Sequence, residues 1–418
     1  MHLVLLSSLV PVENPTSGFD IANRAVLDGL RALGHHVSVV GYLQPGQRPA
    51  PGGDMVLLGE LEVSNAKVGR ATKIAWLTRA LLQRTTLSSA KMLATSPARM
   101  RAILAELAPF DGLVLNSVQL PGAFLRLLAD YPTIYVAHNA EAATARQNAA
   151  IAGGRIERAL FAREARILDR LEQGLATHAL QVFTFCEADR HAFGESVAAR
   201  ASVLPLLRQW QAPSDLPATG THRRDIGLIG TWSWKANRIG LDWFLDAVVP
   251  RLPDDVVIEV AGSLPDAPPI RHPGLRFVGR VADAADFVRA SRVVPLVSRG
   301  GTGVQLKTIE TFEAGMPSVA TPSSLRGIDR VPPNCLVADT PEAFAEALVA
   351  QVQAVREGRL GPISGHAFHA TQKAALLSTL AAGLAAFARE PGRARSAPLH
   401  RPGFPTAALS VPDRGLFR

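Results

Sequence analysis

The run Pro295-Leu-Val-Ser-Arg-Gly-Gly-Thr-Gly-Val-Gln-Leu-Lys-Thr-Ile-Glu-Thr-Phe-Glu-Ala-Gly-Met-Pro-Ser-Val-Ala-Thr-Pro-Ser-Ser-Leu-Arg-Gly-Ile-Asp329 reads as strand, glycine loop, helix, strand. Val293 to Val297 is a short continuous apolar run, the pattern of a strand buried on both faces. Gly300, Gly301 and Gly303 free the backbone, Val304 to Ala314 carries apolar residues at helical spacing, and Gly315 and Pro317 stop the helix. A glycine loop feeding a helix N-terminus offers unpaired N–H groups and the positive end of the helix dipole, a setting that suits phosphate or diphosphate. Lys307 and Glu310 stand at i, i+3 on that helix, so a cation for phosphate and a carboxylate for sugar hydroxyls share one face. The same glycine pattern also serves as plain strand-to-helix punctuation, and only its flanks separate the two readings.

From Gly300 to Thr321 the segment resembles the donor-site signature of GT-B glycosyltransferases, in particular the large retaining family 4 and its relatives: a glycine-rich loop, a Lys-x-x-Glu helix, then Ala-Gly-x-Pro-x-Val-Ala-Thr. The resemblance implies an α/β protein with two Rossmann-like doubly wound parallel-sheet domains facing a cleft. It implies transfer of a sugar from a nucleotide-diphosphate sugar, the co-substrate, to an acceptor hydroxyl with retention, in polysaccharide or glycolipid assembly and with no other cofactor. Carried onto this chain, it implies that Gly301, Thr302, Gly303, Val304 and Lys307 hold the diphosphate and that Glu310 is a catalytic and sugar-binding carboxylate. Thr302 stands where many members carry the first of two glutamates.

Three further elements carry the resemblance. Gly227-Leu-Ile-Gly-Thr-Trp-Ser-Trp-Lys-Ala-Asn-Arg-Ile-Gly-Leu-Asp-Trp-Phe244 is similar to a strand ending in glycine before an aromatic-x-x-Asn turn. It implies that the backbone at Gly230 approaches the diphosphate and that Lys235 pairs with phosphate, while Thr231 stands where the family usually has arginine. Glu259-Val-Ala-Gly-Ser-Leu264 and Arg276-Phe-Val-Gly-Arg-Val281 imply that Gly262, Val278, Gly279 and Arg280 hold the nucleotide base. The strand Thr133 to Ala137 delivers His138-Asn-Ala-Glu141 toward the cleft, where the resemblance makes His138 a catalytic candidate and a satisfied structural histidine is the alternative. Gly18, in the loop after the first strand, joins the substrate-binding set. Thr184-Phe-Cys-Glu-Ala-Asp189 is similar to a Ser-x-x-Asp element with Cys186 at the serine, read as a helix start with Glu187 and Asp189 favouring the dipole.

Around these elements the chain alternates strands and helices. A strand from Leu3 to Ser7, a loop with Pro11, Asn14, Pro15 and Gly18, a helix from Asp20 to Leu33 closed by Gly34, and a strand from Val37 to Tyr42 form a right-handed crossover unit. More strands are expected at Gly112 to Leu115, Thr133 to Ala137 and Val182 to Phe185. The pattern restarts with strand Ile226 to Ile229, a helix through Trp243 to Leu252, and strands Val256 to Val260 and Arg276 to Val278. The expected division is an acceptor domain over 1–208, a linker over 209–224 with Pro213, Pro217 and Gly220, and a donor domain over 225–366. A helix over 367–388 is expected to pack back on the first domain, followed by a disordered Pro- and Arg-rich tail over 389–418.

At 418 residues, 47% hydrophobic and 19% charged, the chain has the composition of a globular protein with room for two cores. No apolar run reaches membrane-spanning length, and two cysteines, Cys186 and Cys335, give neither a disulfide framework nor a Cys-rich metal site, which points to the cytoplasm. No Asp-x-Asp pair or clustered His and Cys suggests a metal. The net charge of +8 directs attention to anionic partners. Between residues 63 and 104, Lys67, Arg70, Lys73, Arg79, Arg84, Lys91, Arg99 and Arg101 interleave with Ile74, Trp76, Leu77, Leu81, Leu82, Met92 and Leu93, a composition suited to an anionic membrane surface on the inner face or to a solvated helical face. A lipid-linked or sugar acceptor is then the expected partner, and no nucleic acid is, because no reader motif accompanies the charge. The rival reading is a catalytically silent GT-B nucleotide-binding or assembly protein, suggested by Thr302, Thr231 and Cys186.

Overall fold

The computed structural model describes residues 1–64, 67–213, 223–264, 268–269 and 271–389. Seven strands, β1 (His2–Leu9), β2 (His36–Leu43), β3 (Met55–Glu60), β4 (Gly112–Asn116), β5 (Thr133–Ala137), β6 (Gln181–Thr184) and β7 (Ala201–Val203), form one sheet in the order β3-β2-β1-β4-β5-β6-β7. Six more, β8 (Arg224–Ile229), β9 (Ile258–Ala261), β10 (Leu275–Gly279), β11 (Ser291–Leu296), β12 (Ser318–Ala320) and β13 (Cys335–Val337), form a second sheet in the order β10-β9-β8-β11-β12-β13. Every pairing within them is parallel. Each order reverses beside its first strand, between β1 and β4 and between β8 and β11, and the carboxyl ends at such a reversal are where open parallel sheets bind ligands.

Helices cover both faces of each sheet, so the central strands must be apolar on both sides. Gly-Leu-Val-Leu-Asn of β4 and Thr-Ile-Tyr-Val-Ala of β5 are buried along their whole length. Three strands escape the sequence reading, β3, β7 and β13, and all are either at a sheet edge or only three residues long. Edge strands bury less and lose the continuous apolar run that marks the centre. The helix expected through Leu252 is regular only over Lys235–Trp243 and then passes through a π turn at Phe244–Val248 and a 3-10 turn at Val249–Arg251. Pro250, with no N–H to donate, accounts for the change of pitch at its end.

The helix His366–Ala388 buries Leu376, Leu380, Leu384 and Phe387 against the first domain in one core cluster with Leu27, Leu30 and Phe183. Gly29 makes that approach possible, since a Cβ there would lie 2.6 Å from Leu380 Cδ1. The same cluster includes Ile309, Phe312 and Met316 of the second domain, so the apolar core runs through the junction. Most of the expected linker, residues 214–222, and the expected tail beyond residue 389 lie outside the described residues.

The basic segment 63–104 is not one amphipathic helix. It divides into Arg70–Leu82, Leu87–Met92 and Pro97–Leu107. Met92 and Leu104 are buried, and Lys91 is turned inward, donating to the Val63 carbonyl at 2.7 Å with its Nζ 4.5 Å from the centre of the buried Trp76 ring. Only Arg70–Leu82 keeps the mixed surface, with Ile74 and Leu82 64% and 76% exposed beside the exposed Arg70, Lys73 and Arg79.

Candidate active site

The carboxyl ends of both sheets open onto a cleft of about 820 Å³. Gly18, Phe19, His138, Asn139 and Phe185 line it from the first domain, and Gly230, Gly262, Arg280, Thr302, Lys307 and Glu310 from the second.

The glycine loop is held from three directions. Gly301 and Gly303 adopt φ of 90° and 75°, conformations that L side chains rarely take. Arg326 ties down the loop carbonyls, donating from Nε to Gly303 O at 3.1 Å and from Nη2 to Gly300 O at 3.2 Å. Asp189 reaches across from the first domain. Its buried carboxylate accepts the Gly303 N–H at 2.9 Å, the Cys186 thiol at 3.2 Å and the Ala140 N–H at 3.3 Å. Burial pushes the Asp189 carboxyl up, and these donors oppose the shift. Asn139 packs so closely that a Cβ at Gly303 would meet its Oδ1 at 2.1 Å. The hydroxyls of Thr302 and Thr144 are 2.8 Å apart across the same junction.

Lys307 follows on the helix Leu306–Glu313, whose N-cap Gln305 makes no side-chain cap. Its side chain is half-buried, with the ammonium 5.7 Å from the centre of the Trp232 ring, and desolvation pulls its pKa from 10.5 to about 8 against the opposing pull of Glu310. Trp232 is itself only 2% exposed and donates from Nε1 to the Ala261 carbonyl at 2.7 Å. The indole forms the floor beneath two glycines: a Cβ at Gly230 or Gly262 would lie 2.7 or 2.9 Å from indole atoms, and one at Gly262, where φ is 117°, 2.0 Å from the Gly230 carbonyl. Glu310 forms an ion pair with Arg208, Oε1 to Nε 2.6 Å. Burial raises the Glu310 carboxyl and the guanidinium draws it back down.

His138 ends a buried polar relay. Asn116 donates from Nδ2 to Asn23 Oδ1 at 2.5 Å, and Asn23 donates to the Leu9 carbonyl at 3.0 Å, which leaves Asn116 Oδ1 to accept from His138 Nε2 at 2.8 Å. The proton is therefore assigned to Nε2, and Nδ1 is left as an acceptor. Phe19 and Phe185 flank the ring, each with its centroid 5.0 Å away. Burial depresses the imidazole pKa to about 3, so the ring is neutral at physiological pH.

Of the residues expected from sequence, Gly18, His138, Gly230, Gly262, Arg280, Thr302, Val304, Lys307 and Glu310 line the cleft. Lys235 does not. Its Nζ is 3.3 Å from Glu157 Oε1 and 5.4 Å from the centre of the Phe161 ring, on the far side of the domain junction. Val278, Gly279, Gly301 and Gly303 also fall outside the lining, and the N–H of Gly303, expected at a phosphate, is taken by Asp189. Asp189 thus bridges the domains, where the sequence reading had it serving a helix dipole. Asn139, Arg208, Trp232 and Arg326 had no assigned role. All but Arg208 stand inside motifs already quoted, whereas nothing local marks Arg208, because its partner is distant in sequence.

Residues 223–353 match the family profile described as glycosyl transferases group 1. The second domain is a group 1 glycosyltransferase domain. No curated protein matches the chain in sequence. Among solved structures it is similar to sucrose-phosphate synthase from Thermosynechococcus elongatus, with TM-score 0.57 and 15% identity over 92% of this chain and 96% of that one. It is similar to WaaG, a glycosyltransferase involved in lipopolysaccharide biosynthesis, with TM-score 0.55 and 15% identity over 91% and 98%. It is also similar to Anabaena HepE in complex with UDP and glucose, with TM-score 0.50 and 13% identity over 93% and 95%. At such identities the likeness establishes the fold, two Rossmann-like domains in the GT-B arrangement, and the glycosyltransferase domain is the half that holds the glycine loop, Trp232, Lys307 and Glu310.

Proposed function

We propose that this protein transfers a sugar, with retention and without a metal ion, from a nucleotide-diphosphate sugar to a hydroxyl of a sugar or lipid-linked acceptor in polysaccharide or glycolipid assembly. The observation that carries the reading is the convergence of an uncapped helix N-terminus, a half-buried lysine and a half-buried carboxylate on one wall of a cleft, inside a group 1 glycosyltransferase domain. The lysine and the helix end meet the diphosphate, Glu310 the hydroxyls, and the backbone around Gly262 and Arg280 the base. His138 and Asn139 face them from the other domain, where a donor sugar and an incoming hydroxyl meet. Support comes also from HepE, which holds UDP and glucose in this fold.

A screen of purified protein against nucleotide sugars, following thermal shift and donor hydrolysis, tests the reading. Selective stabilisation by one donor supports it, and indifference to every donor overturns it. Glu310→Ala is expected to weaken the selected donor by about 1.5–3 kcal/mol, the range for a hydrogen bond to a charged group. Titration calorimetry checks this, and a folded variant with wild-type affinity removes Glu310 from the site.

We place the protein in the cytoplasm, peripheral on the inner face of the membrane through Arg70–Leu82. No described helix is long and apolar enough to cross a membrane. That helix offers exposed Ile74, Leu77, Leu81 and Leu82 beside basic side chains, a surface that buries apolar groups among anionic headgroups. In co-sedimentation, binding is expected to anionic but not neutral vesicles, to fall with salt, and to weaken when Lys67, Arg70, Lys73 and Arg79 are changed to glutamine. Binding indifferent to lipid charge, salt and those changes would remove the membrane and favour a soluble acceptor.

A further inference from the structure

We propose that Arg208 is a positioning residue for the donor: it pairs with Glu310 so that the carboxylate presents one free oxygen to the ribose of the bound nucleotide. The inference rests on the functional reading above and adds a residue from outside the glycosyltransferase domain. Arg208 lies beyond β7, where the chain leaves the first sheet, and is 102 positions before its partner, so the contact is made only when the two domains dock.

The geometry is specific. Arg208 Nε is 2.6 Å from Glu310 Oε1, while Oε2 has no hydrogen-bond partner among the described residues. The backbone N–H of Arg208 donates to Glu313 Oε1 at 3.2 Å, one turn further along the same helix. Glu313 Oε1 is in turn 3.2 Å from Nδ1 of the buried His369, on the helix that returns to the first domain. Both chain crossings are therefore fastened to the helix that carries Lys307 and Glu310. Arg208 sets the side-chain direction of Glu310, and Glu313 sets the height of the crossing strand relative to it.

The pairing also governs protonation. The charged groups that act on Glu310 are Arg208, Lys307 and Glu313. Burial and Glu313 push its carboxyl up, and Arg208, followed by Lys307, pulls it down. An ionised carboxylate is a pure acceptor and binds a hydroxyl more strongly than the neutral acid does. Without Arg208 the carboxyl rises further, and it takes up a proton at a higher pH than in the wild type.

The test measures affinity for whichever of UDP, GDP and ADP stabilises the wild-type protein most, by calorimetry from about pH 8 down to about pH 5, alongside the 2′,3′-dideoxy form of the same nucleotide. Arg208→Gln is expected to bind the ribonucleotide about tenfold more weakly at neutral pH, as for loss of one charge-assisted contact. That deficit should deepen as pH falls, while the dideoxy form binds both proteins alike. Arg208→Lys, which keeps the charge without the guanidinium, is expected to lose affinity but keep the wild-type pH profile, and it stands in should the glutamine variant fail to fold. Equal affinity and pH profile in wild type and variants, or an equal deficit with the dideoxy form, overturns the proposal and leaves the functional reading intact. A wild-type protein that binds none of the three nucleotides overturns that reading, and this inference with it.

Discussion

Replacing Lys307 by alanine is expected to lower turnover with the cognate donor by about two orders of magnitude, the scale seen when one preorganised stabiliser of a leaving group is removed. The half-buried ammonium lies beside Trp232 at the start of the helix Leu306–Glu313, where the protein wall screens it from a diphosphate less than bulk water would. Binding of the nucleoside diphosphate should fall far more than binding of the nucleoside, which carries no phosphate for Lys307 to meet. The pH dependence gives an independent check. Desolvation holds the lysine at about 8, so above that pH its amine is largely neutral. A diphosphate favours the protonated form and raises the pKa, so binding takes up a proton above about pH 8 and affinity declines as pH rises through that region. The alanine variant should lose this decline. With a lysine and a helix end in place of a cation, EDTA should leave wild-type turnover unchanged. Activity abolished by chelation and restored by magnesium, or an alanine variant with the wild-type pH profile, would remove Lys307 from its assigned place.

The second large effect is expected on stability. Trp232→Ala should destabilise the protein by about 3–5 kcal/mol, the cost of deleting a buried large aromatic side chain. The indole is almost wholly buried, supports Gly230 and Gly262 and satisfies the Ala261 carbonyl. Its removal leaves a cavity under the strand ends of β8 and β9 and an acceptor without its donor. Trp232→Phe, which keeps much of the volume and loses the N–H, should fall between the two. Chemical denaturation followed by calorimetry measures both, and Lys307→Ala supplies a contrast, because loss of a half-buried lysine that lines the cleft should cost binding with little loss of stability. An alanine variant at Trp232 as stable as wild type would mean that the strand ends hold their shape without the indole.

These effects separate what is local from what is not. Glycines at 301 and 303, Lys307 and Glu310 at i, i+3, and the stop at Gly315 and Pro317 lie within a few turns of one another. Their geometry follows from helix periodicity and backbone freedom, so the sequence alone determined the strand-loop-helix unit and the side of the helix that faces the cleft. The central strands were legible for the same reason, since burial on both faces demands an unbroken apolar run. Of the four edge strands, β3, β7 and β13 were not, because the constraint that writes that run is weaker at an edge.

The tertiary structure decided the partners. Lys235 sits in a motif that suggests phosphate, yet its nearest carboxylate is Glu157, which the other domain brings to it. Asp189 looked like a helix-end charge until docking set it against the Gly303 N–H, and Arg208 looked like any crossing residue until the same docking set it against Glu310. The basic segment at 63–104 carried a membrane-like composition throughout, but packing drew Lys91 and Trp76 inward and left that surface to Arg70–Leu82. Short-range order is set by rotations and spacing that the chain carries with it. Which charge meets which across a cleft depends on how two cores settle against each other, and neighbours in sequence hold no record of that.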